Sequence, residues 1–218
     1  MELAKTLQKT LIRTNPKADL YVDLAEATTG IILVGFLWTH LIFVSTIILG
    51  QNVFNLLAEG LDKYYLSYVG IPFVVLAFLV HIFMAGRRAP LRLRDLRITW
   101  RHAKMIGHGD TWVWVGQVIT ALLIGILGSI HMWIIITQWP IDSIKSAMRV
   151  DSLYLWFYVF LLLVGEYHAG FGLYRIFVKW GIVKNRHTAG YVLKAITVAI
   201  VALGLGALYT FKQLGGAL

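Results

Sequence analysis

Cysteine is absent from the 218 residues, so disulfides, thiolate metal sites and cysteine-ligated clusters cannot belong to this chain. Any iron–sulfur centre it works with must sit on a partner. Charge is sparse as well, at 14% of residues against 58% hydrophobic, which excludes an ordinary soluble domain. Acidic residues are the scarcer sign, 11 against 20 Lys and Arg, for a net charge of +9. A basic excess of that size is compatible with nucleic acid. Here, however, the cations cluster in gaps between apolar segments rather than on one amphipathic surface, so they read as topology signals and nucleic acid is not an expected partner. The polar N-terminal stretch with Lys5, Lys9, Arg13 and Lys17 lacks the layout of a signal peptide, and the first apolar segment is expected to be retained.

What is present is a set of long apolar runs. Hydrocarbon cannot satisfy a backbone amide that leaves the helix, so such runs become membrane-spanning helices. Five are drawn at residues 27–50, 68–86, 112–138, 152–175 and 190–211, the fourth continuing through Arg175 to Lys179 beyond the bilayer. The fold class is an all-α integral membrane bundle in one domain, residues 1–218, and everything between the spans is read as connection. Gly60, Pro90, Pro140 and Gly190 are taken to punctuate those gaps. Four cations lie in the N-terminal tail, seven in the second gap (Arg87, Arg88, Arg92, Arg94, Arg97, Arg101, Lys104) and four in the fourth (Arg175, Lys179, Lys184, Arg186). The other side carries Lys63, Lys145, Arg149 and Lys212. The positive-inside rule then puts the N-terminus and the basic gaps in the cytoplasm.

Four histidines fall inside spans, one on each of four helices: His40, His81, His131 and His168. An ionisable side chain in hydrocarbon is expensive unless paired, so each is a candidate functional group. Helical rise places His40 about 20 Å past Ala27 and His131 about 28 Å past Trp112, both in the outer half. His81 lies about 9 Å before Arg87 and His168 about 10 Å before Arg175, both in the inner half. Two histidines at each of two levels suit two bis-histidine haems stacked across the membrane. Small residues one turn from the ligands would admit a flat cofactor: Gly128 near His131, Gly165 and Gly172 near His168, Ala77 and Ala85 near His81. Glycine at helical spacing is equally the ordinary device for close helix packing in membranes. His102, His108 and His187 lie in basic gaps and read as solvated.

The stretches HLIFVSTIILGQN from His40, HGDTWVWVGQVIT from His108, GSIHMW ending at Trp133 and EYHAGFGLYRIFVKWG from Glu166 resemble the dihaem cytochrome b subunit of quinol:fumarate reductases and succinate dehydrogenases. The resemblance covers most of the chain, from about Glu26 to Gly181. It implies two b haems, an outer one held by His40 and His131 and an inner one by His81 and His168. Implied partners are an iron–sulfur subunit and an FAD flavoprotein, with menaquinone as the lipid-soluble substrate and a dimer of heterotrimers as an admissible assembly. The expected location is the bacterial cytoplasmic (inner) membrane. The resemblance further implies that Trp114, Arg149 and Lys179 meet haem propionates, and that Glu166 accompanies electron transfer with protons. A Gln-Ser pair expected near the inner propionates is replaced here by EATTG at Glu26 to Gly30. For the quinol base, ungapped counting from His40 lands on Asp62, with Glu59 one turn earlier on the same face.

Two other readings stay open at this level. A cytochrome b anchor of a formate dehydrogenase or hydrogenase would place its ligands differently and lacks the HGDT and EYHAGFGLYR stretches. A transporter binding a metal ion through its histidines is the reading from another class, although the broken or inverted repeats common there are not found. Sequence does not distinguish fumarate reduction from succinate oxidation.

Overall fold

A computed structural model of the chain describes residues 16–87 and 92–217. Lys5, Lys9, Arg13, Arg88 and Pro90 lie outside the described residues. Helix α1 runs Pro16–Ser45 and tightens into a 3-10 turn at Thr46–Leu49; α2 is Gln51–Lys63, α3 Leu66–Gly86, α4 Leu93–Ile106 and α5 Gly109–Thr137. Then come α6 at Ser143–Arg149, a π turn at Val150–Tyr154, α7 at Leu155–Lys179 and α8 at Arg186–Gly215. Among the described residues five helices, α1, α3, α5, α7 and α8, are long and apolar enough to cross a membrane.

The five apolar segments expected from sequence are therefore all found, but the gaps differ from the expectation. They are largely helical rather than mere connection, because a polar segment at the interface can satisfy its backbone locally and lay an apolar face on the bundle. Helix α4 carries Arg94, Arg97, Arg101 and Lys104, and packs Trp100 edge-on against Trp112 of α5 at 5.1 Å. These cations of the gap therefore lie on an amphipathic helix of their own. Gly60 and Gly190 sit inside α2 and α8 rather than between elements. The chain turns instead at Gly50, Gly107 and Gly181, whose φ values of 121°, 64° and 66° are open to glycine and strained for other residues.

Helix α3 packs on α1, α5 packs on α7, and α8 closes the far side against α1 and α7. Without a hydrophobic drive between helices in lipid, close approach depends on small residues. Gly204 of α8 is one such place, where a Cβ would come within 2.8 Å of the Leu162 methyls. At the end away from the basic gaps, α2, α6 and α8 converge on Phe54, Ala147 and Phe211, with Phe54 and Phe211 edge-to-face at 5.5 Å. The Ser143 N–H donates to Asn55 Oδ1 at 2.8 Å, joining α6 to α2. Aromatic side chains flank both ends of the apolar band, Tyr64, Tyr65, Trp133 and Trp156 at one and Tyr21, Trp100 and Tyr191 at the other, all exposed as expected of interfacial anchors.

Candidate cofactor cavity and its four histidines

Between the α1–α3 pair and the α5–α7 pair lies a cavity of about 1270 Å³ that reaches along the bundle and is lined by all four intramembrane histidines. His40 of α1 faces His131 of α5 with ring centroids 6.1 Å apart, and His81 of α3 faces His168 of α7 at 6.5 Å. Each histidine pair thus bridges from one helix pair to the other. Along α1, Thr29 touches His81 and stands eleven residues before His40; along α5, Thr120 touches His168 and stands eleven residues before His131. Both rulers put the two histidine levels about 16 Å apart.

The residues fit two bis-imidazole porphyrins. An imidazole nitrogen binds a transition metal at about 2 Å, so two rings facing across one ion have centres roughly 6 Å apart, close to both separations found here. Among the described residues no group of three or more His, Asp or Glu could hold a bare metal ion. A porphyrin brings its own in-plane donors and needs only the two axial ones that each pair offers. Gly165 faces open space, with nothing within 4 Å of a Cβ built there, and lines the cavity together with Gly128, Gly172 and Ala85. Ala77 is buried in helix packing outside that lining. Gly30 was not singled out from the sequence. A Cβ there would stand 3.2 Å from His81 Cε1, so glycine lets the imidazole approach α1 closely.

Trp114 and Lys179 line the cavity toward its basic end and Arg149 toward the other. Lys179 also pairs with Asp23 at 2.8 Å, and the buried Arg149 donates from Nε to Gln138 Oε1 at 2.8 Å. Asp62 lines the cavity at the Arg149 end, and its Oδ1 is buried without a hydrogen-bond partner. Glu59, one turn earlier on the same helix, is exposed and outside the lining. Glu166 is fully buried but turned away from the cavity, toward α1, where the Trp38 indole N–H donates to its Oε2 at 3.3 Å. His81 and His168 each contact a threonine hydroxyl at 3.1 Å, and Gln117 Nε2 donates to the His168 carbonyl at 3.1 Å. Sequence reasoning passed over these three polar residues. Their signal was present, since each is a hydrogen-bonding side chain inside an apolar run.

Two facing histidine pairs lining one cavity within five apolar helices make this a multi-pass membrane protein with room and axial nitrogens for haem. A family model described as the succinate dehydrogenase/fumarate reductase transmembrane subunit matches residues 94–207. Relatives include the fumarate reductase cytochrome b subunit of Wolinella succinogenes, 35% identical over 170 residues, spanning 73% of this chain and 66% of the relative. The subunits of the same description from two strains of Helicobacter pylori are 30% identical over 203 residues, spanning 87% of this chain and 80% of each relative. The chain belongs to the succinate dehydrogenase/fumarate reductase transmembrane-subunit family.

Proposed function

We propose that this chain is the membrane-anchor subunit of a fumarate reductase or succinate dehydrogenase complex, with two b haems in its cavity and a quinol site beside Asp62. The observation that carries the reading is the crosswise facing of His40 with His131 and of His81 with His168. Bound b haems would supply one-electron carriers at two depths, linking menaquinol at the outer end to an iron–sulfur subunit, and through it a flavoprotein, at the basic end.

The chain's own residues position, ligate and move protons. The four histidines offer axial nitrogens, while Trp114, Lys179 and Arg149 offer donors and positive charge to propionates at the two ends of the cavity. Asp62 suits a proton acceptor for quinol, because it lines the cavity and its buried Oδ1 has no hydrogen-bond partner. Glu59, the alternative base read from the sequence, is exposed on the same helix and outside the lining, which favours Asp62. Glu166 keeps Oε1 unpartnered in the apolar interior, two residues from His168, and is the group proposed to carry a proton alongside electron transfer. The cytoplasmic side is assigned to the basic gaps by the positive-inside rule, which puts the partner subunits there and Asp62 outside. The same wiring run in reverse oxidises succinate. A formate dehydrogenase or hydrogenase anchor is disfavoured by the family match, and an ion transporter by the pairwise grouping of the histidines.

The test is purification of the tagged chain from mild-detergent membranes. A flavoprotein and an iron–sulfur protein are expected to copurify, with two b haems per chain and menaquinol:fumarate activity. A colourless preparation, or partners without a flavin, defeats the reading.

A further inference from the structure

We infer that Thr29 and Thr120 are positioning residues that fix the ring tautomer of the inner pair, His81 and His168, and raise the basicity of both imidazoles toward the iron. This rests on the haem-binding reading above. The geometry occurs twice. Thr29 Oγ1 donates to the carbonyl of Ala25 at 2.7 Å, with that of Glu26 at 3.2 Å, and lies 3.1 Å from His81 Nδ1. Thr120 Oγ1 donates to the carbonyl of Gly116 at 2.8 Å, with that of Gln117 at 3.2 Å, and lies 3.1 Å from His168 Nδ1.

A hydroxyl has one proton, and in both cases the backbone carbonyls four and three residues earlier take it. Toward the imidazole each oxygen therefore presents only lone pairs. Nδ1 must then carry the hydrogen and donate it, which leaves Nε2 as the unprotonated nitrogen. A histidine ligand whose second nitrogen donates to an acceptor is held in orientation and is more electron-rich at the metal. The outer pair differs: His131 Nδ1 is buried with no hydrogen-bond partner.

The arrangement is also a sequence rule. Thr29 precedes His40, and Thr120 precedes His131, by the same eleven residues. Eleven residues is close to three whole helical turns, so on α1 and on α5 the clamp and the outer ligand project from nearly the same side of the helix. Each helix serves both levels, ligating at one and positioning a neighbour's ligand at the other. Greater donation from the inner imidazoles favours ferric over ferrous iron, so the two hydroxyls hold the inner haem's midpoint potential lower than it would be without them.

The experiment is a redox titration of the purified whole complex, following each haem by optical and EPR spectra, for wild type, Thr29→Val, Thr120→Val and the Thr→Ser variant at each position. Expected are two haems per chain throughout, a raised potential and altered EPR g values of the inner haem in the valine variants, an unchanged outer haem, and recovery with serine. An unmoved inner haem, or a shift confined to the outer one, overturns the inference. Pulsed EPR of the wild-type complex is a second measurement that needs no variant to fold. It reads the quadrupole coupling of the remote imidazole nitrogen, and a value for a nitrogen without a hydrogen bond at the inner haem overturns the inference directly. A wild-type complex with no haem would instead defeat the parent reading, and the two failures are distinguishable.

Discussion

Lys179 and Asp23 form an ion pair of 2.8 Å that ties the last turn of α7 to the early turns of α1 at the basic end of the cavity. A propionate placed there would meet an ammonium group that already has a carboxylate beside it. With Lys179 half exposed, the pair by itself contributes less than about 1 kcal/mol. Asp23→Asn is therefore expected to lower the melting temperature of the complex by less than about 4 °C, measured calorimetrically, with both haems kept. Lys179→Met removes positive charge near the inner haem, and should lower that haem's midpoint potential while sparing the outer one.

The pairing of ligands is tested by four single substitutions. His81→Ala and His168→Ala should each remove the inner haem, and His40→Ala and His131→Ala the outer, measured as haem per chain and by the remaining alpha band. If His40 and His81 variants lose the same haem, the crosswise arrangement is wrong.

Asp62 and Glu59 make opposite predictions, although they are only three residues apart. Asp62→Asn should cut menaquinol oxidation about 100-fold or more, the usual scale for loss of a general base. Glu59→Gln, altering an exposed carboxylate outside the cavity, should leave turnover close to wild type. Normal quinol oxidation by Asp62→Asn would remove Asp62 from the mechanism.

Gly30 carries a steric prediction. Its Cβ position stands 3.2 Å from His81 Cε1, so the branched side chain of Gly30→Val must push the imidazole off its resting rotamer, at a cost of about 1 kcal/mol or more. The inner haem should be depleted selectively, read as haem content, with the outer band intact. Equal retention of both haems by that variant would show that His81 does not need its seat on α1.

The amino-acid sequence by itself determined the five spans and the placing of one histidine in each of four of them, because hydrocarbon imposes a simple rule on every residue that enters it. Apolar run length specifies a helix, and a lone imidazole in such a run demands a partner whatever the neighbours are. Helical rise then assigns level. Tertiary structure alone decided the rest. Which carboxylate faces the cavity depends on the rotation of α2 about its own axis, and residue spacing along one helix says nothing of that rotation relative to another. That Thr29 and Thr120 meet His81 and His168 depends on two inter-helix contacts across 52 and 48 residues of chain. A threonine in an apolar helix is unremarkable until something is packed against it. Lys179 was assigned to a propionate from resemblance, yet its nearest charge is a carboxylate on α1, since the first helix extends well before the apolar run and brings Asp23 alongside. Periodicity reports which face of a helix is apolar, and only the packing of all five helices decides what that face meets.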